Sequence, residues 1–561
     1  PAQNLNDLLQ HIAGVDFRQR GAWGAQADVS LRGGTFDQTL ILVNGIKMND
    51  PQTGHHNLNL GIDVSSIRQI EVIKGPAAAR YGLNTFSGVI NIITKPTDEN
   101  QAVVRTIVGQ SEDAKWPNAP YAGYQAEGAV NFGGDKSRHL VSVSRTQSGG
   151  YRENTDLNRN TAFYQGNMNS KVGEFNVMAM AAQNDFGASG FYAYPIDASS
   201  EEQVSTIMGA VQHAIRFGPT TVRSKVYSRK NFDTYTLFRD QPEIFQNRHR
   251  TDVEGGEIHV SHTYAQGTLG AGLEYRHEAI NSNNLGLRVR DNYGAFLEHR
   301  LWLLNEHLSI NTGAYINNST DFGTQILPSA SMHFSMNEHF SLFANAGQSF
   351  RIPTFTDLYY VGPTNIGNAD LKPEQSTNYE TGVKFNEGLH FFQVSAFRQL
   401  SNDLIDWVRD SISEPWRPEN YETVVTNGVE VNYEMRSMLP IVSSDLSFGL
   451  IRLGYTYLDM NITSAEEVLS RYALNNLRHQ VSAQGVIAFK KNLSLSLTGR
   501  YLDRQSYKSY WLADVRLQYA RNNIKTWIDA TNMLNTDYIE AANAPMPGRW
   551  FRLGLEWTIP Y

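Results

Sequence analysis

The sequence predicts an all-β membrane protein: an antiparallel transmembrane β-barrel of about 22 strands, its lumen filled by an N-terminal α+β plug domain. Three observations carry this expectation. From about residue 100 to the end, segments of roughly ten residues alternate in polarity with period two. The chain holds 27 Tyr, 26 Phe, 9 Trp and 45 Gly, yet no apolar stretch approaches the roughly 20 residues of a membrane helix. The first 97 residues have a different texture and read as a separate domain.

Within residues 1–97, LNDLLQHIAGVDF reads as a short helix, with Leu5, Leu8, Leu9 and Ile12 at helical spacing and Gly14 as its stop. VSLRGG and TLILVNGIKM read as strands, and residues 48–61 as a loop rich in turn formers. IRQIEVIKGPAAARYGLNTFSGVINIITK (67–95) reads as strand, glycine-rich loop, strand. Apolar residues on both faces of its two strands predict burial on both sides. A domain of about 100 residues can fold as a unit.

The alternation after residue 97 is clearest at the C-terminus. Phe551, Leu553, Leu555, Trp557, Ile559 and Tyr561 occupy one face, with Arg552, Gly554, Glu556 and Thr558 on the other. Leu493, Leu495 and Leu497 alternate with Ser494, Ser496 and Thr498. In FNVMAMAAQ, Phe175, Val177 and Ala179 alternate with Asn176, Met178 and Met180. The polar face carries Arg, Gln, Glu and Asn, as a wet lumen requires, and the absence of a blade-length repeat disfavours a propeller. Dividing residues 98–561 among about 22 strands gives about 21 residues per strand and connection, which suits tilted spans joined by alternating short and long loops. Long polar connections at 184–204 and 230–252 are unusually aromatic and suit capture of a bulky amphipathic ligand.

Several classes are disfavoured. A net charge of −8, from 48 basic and 56 acidic residues, argues against a nucleic-acid partner. With no cysteine there is neither disulfide nor thiol chemistry. No catalytic triad, carboxylate pair or nucleotide loop stands in a recognisable motif, so no enzyme is expected. Of 15 histidines, only His55-His56 and the His259/His262 pair are close together. In a strand the latter two face opposite sides and make a poor metal pair. A passive porin needs no plug of this size.

LRGG (31–34), LILVNGIKMND (40–50) and the 67–95 stretch resemble the plug of TonB-dependent outer-membrane transporters. SFRIPTFTDLYY (349–360), NADLKPEQSTNYETGVKF (368–385), TNGVEVNYEM (426–435), LRHQVSA (477–483) and ATNMLNTDY (530–538) resemble barrel segments of that family in order. GRWFRLGLEWTIPY resembles its terminal strand, with Pro560 unusual there. The resemblance implies residence in the bacterial outer membrane, among its lipid and lipopolysaccharide, with residues 1–97 as plug and 98–561 as barrel. It implies energised import driven by the TonB–ExbB–ExbD complex of the inner membrane, which grips a TonB box. That box is expected to lie before Pro1. A periplasmic binding protein downstream and a surface lipoprotein cap, present in some relatives, are implied partners.

Within the family the short barrel and its loops look most like the cobalamin (vitamin B12) transporters, which makes cobalamin the expected cargo. Ferric siderophores and haem are the alternatives, although residues 350–371 lack the histidine that haem receptors carry there. The resemblance implies no resident cofactor. It puts substrate contacts on two plug loops, at Asn49, Gln52, His55, His56, Asn57, Asn59, Arg80, Tyr81, Asn84 and Thr85, and on an outer loop at Phe191, Tyr192 and Tyr194. Calcium orders the outer loops of the relatives and would fall here to Asp185, Asp197, Asp233 and Asp240, a thin set against the six to eight oxygens it prefers. A plug–barrel lock is implied between Arg32 and Lys74 on the plug and Glu380 and Glu430 on the wall. Contacts between plug and wall are expected to be polar and wet, so that they can exchange with water.

Overall fold

A computed structural model describes residues 3–75, 80–111, 121–192, 195–411, 413–436, 446–463, 469–471, 476–489, 492–541 and 544–561. The plug opens with a one-turn helix, α1 (Leu5–Leu9), whose N-cap Asn4 accepts from the Asp7 amide at 3.0 Å. β1 (Val15–Gln19) and β2 (Ala27–Leu31) form an antiparallel hairpin. A second sheet has the order β4 (Ile46–Lys47), β3 (Thr39–Val43), β6 (Gly88–Thr94), β5 (Ile67–Lys74). Asn44 and Gly45 join β3 to β4 with φ of 51° and 78°, the left-handed pair that a two-residue hairpin turn demands. β6, between parallel β3 and antiparallel β5, is buried nearly throughout.

The expectation that both strands of 67–95 are buried on both faces holds for β6 and fails for β5. β5 is the edge of its sheet, and Arg68 and Gln69 are exposed. An edge strand with polar residues outward avoids pairing with other chains.

The remaining strands form one closed antiparallel barrel of 22 strands, apart from a two-residue strand at Leu469–Ser470 that pairs inside it. Closure pairs the last strand, Trp550–Pro560, with the first, Gln101–Ser111, from Trp550 opposite Ser111 to Pro560 opposite Gln101. Closing the sheet satisfies every edge, which a lipid environment requires. The outward row reads as the sequence implied: Leu553, Leu555 and Trp557 are exposed, with Val104 and Val108 beside them. Turns at one barrel end are short, such as 134–137, 170–173 and 217–220, which marks that end as periplasmic.

The interface between plug and wall departs from the wet contact expected. Plug residues Val15, Val29, Leu60, Ile62, Ile90 and Ile92 share one buried apolar cluster with Leu140, Phe163, Met178, Met180, Met208 and Val253 of the barrel. The lumen-facing row of FNVMAMAAQ thus carries methionines because it meets the plug rather than water. The approach is close enough that a Cβ on Gly61 would collide with the backbone of Ala181.

Candidate functional site

Two of the places where polar side chains gather between plug and barrel bear on function. The first is the contact of the plug with the wall strands Glu374–Glu387 and Arg417–Arg436. Arg32 follows β2 with φ of 50°, which turns its side chain toward the wall. Its Nε donates to Glu430 Oε1 at 3.1 Å and its Nη2 to Glu430 Oε2 at 3.2 Å and to Glu380 Oε1. Lys74, the last residue of β5, donates to Glu430 Oε2 at 2.9 Å and to the Ala13 carbonyl at 2.6 Å. Glu380 Oε2 accepts from Asn345 at 3.1 Å, and the Arg32 guanidinium lies 4.0 Å from the centre of the Phe397 ring. Both carboxylates and the guanidinium are buried. Gly14, with φ of 73°, leaves room for the cluster, since a Cβ there would collide with Glu430 Oε1. All four residues named from the sequence thus meet in one hydrogen-bonded set. Further buried pairs cross from plug to wall: Arg229 with Asp50 at 2.5 Å and Lys47 with Glu274 at 2.5 Å.

The second place is a cavity of about 140 Å³ at the opposite, outward end. Its plug side carries Phe36, Asp37, Gln52, His55 and His56. Its wall and loops add Tyr192, Glu202, Asp233, Tyr235, Asn247, His249, Asp357, Tyr360, Asn365, Trp407 and Arg471. His55 stacks on Phe36 with ring centres 4.1 Å apart, and its Nδ1 meets Asp28 Oδ1 at 2.7 Å. Burial outweighs the pull of Asp28 and holds the His55 pKa down at about 4, so this imidazole is neutral. His56 Nε2 lies 3.2 Å from Asp233 Oδ2 and 3.8 Å from Glu202 Oε1. Burial opposes its charge, yet those carboxylates raise its pKa to about 9. Gln52 donates to Asp233 Oδ2 at 2.6 Å, Tyr192 to Glu202 Oε2 at 2.6 Å, and Trp407 to Asp357 Oδ1 at 3.2 Å.

Of the expected substrate contacts, Gln52, His55, His56 and Tyr192 line this cavity together. Asn49 instead braces β3, accepting from the Ile41 amide at 3.0 Å. Asn57 accepts from the Asp50 amide at 2.9 Å, and Asn59 donates to Thr206 at 3.1 Å. Thr85 donates to the Gly82 carbonyl at 2.7 Å, closing its own loop, and the Asn84 amide donates to the Phe350 carbonyl at 3.2 Å. Phe191 is buried against Phe186. Tyr194 lies outside the described residues.

Arg80 and Tyr81 stand elsewhere. They line a cavity of about 940 Å³ with Lys47, Asp135, Glu174 and Glu257, beside the short periplasmic turns. Arg80 Nη2 is 3.3 Å from His259 Nδ1. These two side chains thus stand away from the outer face.

The four aspartates expected to hold calcium are not brought together. Asp233 faces His56 and Gln52, and Asp197 accepts from the Tyr192 amide at 2.7 Å. Asp185 pairs with Gln183 on the barrel exterior, and Asp240 is exposed. Such a scattered set does not fit the oxygen shell calcium requires.

Glu202, His249, Asp357 and Trp407 were not foreseen as cavity residues. Only Asp357 had a local signal. TFTD forms a capping box in which Thr354 and Asp357 exchange side-chain to backbone bonds at the start of α2 (Phe355–Tyr359).

A closed 22-stranded barrel with a folded domain locked in its lumen defines a gated outer-membrane transporter. The chain belongs to the TonB-dependent receptor family: residues 110–536 match its "TonB dependent receptor-like, beta-barrel" and residues 1–89 its "TonB-dependent Receptor Plug Domain". Among curated proteins it is similar to "Vitamin B12 transporter BtuB" of Photobacterium profundum, 24% identical over 96% of this chain and 87% of that protein. The protein of the same name from Vibrio vulnificus is 26% identical over 76% of this chain and 69% of that one. Among solved structures, the siderophore receptor PirA from Acinetobacter baumannii superposes with a TM-score of 0.78 at 16% identity, covering 99% of this chain and 96% of that one. The FrpB iron transporter from Neisseria meningitidis gives 0.78 at 15% identity, covering 100% and 97%. These structural likenesses show the fold alone. Family membership places the chain in the outer membrane as an importer coupled to TonB–ExbB–ExbD, and not as an enzyme.

Proposed function

We propose that the cargo is a corrinoid of the cobalamin class. The observation that carries this reading is the electrostatics of the outward cavity. Asp37, Glu202, Asp233 and Asp357 line it with the Arg471 guanidinium and the charged His56 imidazole, and Arg351 pairs with Asp37 and Asp357 from behind the wall. With four carboxylates to these three cations, the site offers a trianionic ferric catecholate no excess of positive charge and suits a neutral or cationic metal macrocycle. Cobalamin is large, mostly uncharged and rimmed with amides. Gln52, Asn247 and Asn365 offer amides in return, and Tyr192, Tyr235, Tyr360 and Trp407 offer rings. A cavity of about 140 Å³ takes one edge of such a ligand, and the rest sits among the outer loops above it. The names of the curated relatives point the same way. A periplasmic binding protein would receive the cargo, and a surface lipoprotein would cap the loops where one is present.

Titration of the purified protein with cyanocobalamin, followed through tryptophan fluorescence with Trp407 in the cavity wall, is expected to saturate with micromolar or tighter affinity. A ferric catecholate run in parallel is expected to give no saturation. Binding of the catecholate without binding of cyanocobalamin would sink the corrinoid assignment and leave the fold untouched.

A further inference from the structure

We propose that His56, Glu202 and Asp233 form a binding site for a bare divalent transition cation, a zinc-like ion held between plug and barrel wall. The site shares these residues with the lining of the outward cavity, and its test does not depend on the identity of the cargo. His56 comes from the short helical turn Gly54–His56 of the plug, Glu202 from the wall strand Glu201–Phe217, and Asp233 from its neighbour Thr220–Thr236. One ligand atom from each lies within 4.8 Å of the others.

Three observations support a metal rather than an ion pair alone. First comes spacing. Tetrahedral zinc with bonds of about 2.0–2.1 Å sets its ligand atoms about 3.3 Å apart. His56 Nε2 stands 3.2 Å from Asp233 Oδ2 and 3.8 Å from Glu202 Oε1. Second comes charge. Two carboxylates, each with about 4% of the side chain exposed, face a single imidazole that is 3% exposed. A divalent ion would neutralise both, whereas the imidazole can match only one. The nearby plug cation Arg20 is paired with Asp28 at 2.8 Å, and Arg229 with Asp50. Third comes unused donor capacity. Asp233 Oδ1 and Gln52 Oε1 are buried and accept no hydrogen bond among the described residues.

The donor set selects the kind of ion. One imidazole with two carboxylates suits zinc, cobalt or nickel, whereas calcium and magnesium want an all-oxygen shell of higher number. All three ligands line the outward cavity, so the ion has an entry path and a fourth position facing that space. His249 lines the same cavity, with its Nδ1 held by Ser282 Oγ at 2.7 Å. An ion here would tie the plug to the wall at the end opposite Arg32 and Glu430.

The test uses the whole protein in detergent, stripped with a chelator and titrated calorimetrically with zinc chloride, with calcium chloride as control. One zinc ion per chain and a raised Tm are expected, with no response to calcium. His56→Gln and Asp233→Asn are expected to weaken zinc binding by about 100-fold or more, beyond the loss typical of an outer-shell change. His262→Ala, on the exposed barrel exterior, should leave it unchanged. Cobalt chloride added to the unaltered protein should give the intense visible bands of a four-coordinate ion, a readout that needs no variant to fold. Absence of zinc binding, binding undiminished in both variants, or weak six-coordinate cobalt bands would each overturn the proposal.

Discussion

Glu430→Ala is expected to unseat the plug from the barrel wall at a cost of about 3–5 kcal/mol, because the buried Arg32 and the half-buried Lys74 lose their shared partner. Glu430 takes three of the hydrogen bonds that cross this contact, two from Arg32 and one from Lys74. Without it, among the described residues, the Lys74 ammonium keeps only the Ala13 carbonyl as a hydrogen-bond acceptor and the Arg32 guanidinium only Glu380. Glu380→Ala should cost less, since Arg32 then retains both bonds to Glu430. Hydrogen exchange of the amides of β1 and β5 is the readout. Exchange there should accelerate by about 100-fold or more in Glu430→Ala, as that free energy requires, while the barrel strands stay protected. Unchanged exchange in the plug would mean that the apolar cluster on Met178 and Met180 seats the plug without help from the polar lock.

Arg351→Ala is the second change with a large expected effect. Arg351 ends the strand Phe340–Arg351 and is buried among three carboxylates. They are Glu374 at 2.8 Å, Asp357 at 3.2 Å and the plug's Asp37 at 3.5 Å. One guanidinium thus joins plug, outer-loop helix α2 and wall. Its loss leaves like charges facing one another in a buried site, again at a cost of about 3–5 kcal/mol. α2 carries Tyr359 and leads to Tyr360, so cyanocobalamin affinity should fall at least tenfold along with thermal stability. The deficit should depend on pH. Burial already raises the Asp37 pKa to about 7, against the opposing pull of Arg351. A carboxyl whose folded pKa exceeds its unfolded value of 3.8 favours the fold at low pH and loses that benefit as pH climbs toward 7. Removing Arg351 lifts the Asp37 pKa further, so the variant goes on losing stability above the pH at which the parent has stopped, and the Tm gap should widen as pH rises from about 7 to about 9. A gap independent of pH would remove Asp37 from the account.

The barrel was legible in the sequence because it is written in local period, and the four charged residues because they stand in motifs that resemble the family's. Period-two alternation sets the outward face strand by strand, and the closing strand shows it from Phe551 to Thr558. Arg32, Lys74, Glu380 and Glu430 stand in LRGG, IKGP, NYETG and GVEVN, and the resemblance of these segments to the family's plug and barrel names them one at a time. The outward cavity is different. Glu202, His249, Asp357 and Trp407 come from four separated stretches and meet only because barrel register and closure bring them round to the plug apex. Nothing local in EEQVS or RHRTD marks those side chains as neighbours. The apolar plug seat was hidden for a related reason. Met178 and Met180 occupy the lumen-facing row, and period alone does not say whether that row meets water or a second domain. Arg80 and Tyr81 were misplaced because loop composition reports turn chemistry and not direction along the wall.

Uptake of radiolabelled cyanocobalamin separates a TonB-driven corrinoid importer from an open channel. The protein would be expressed in a host stripped of its own corrinoid receptor, once with functional TonB and once without. Accumulation is expected only with TonB, since the lock and the apolar seat hold the lumen closed until the plug is pulled. Equal accumulation in both hosts, or none in either with the protein correctly inserted, would contradict the account.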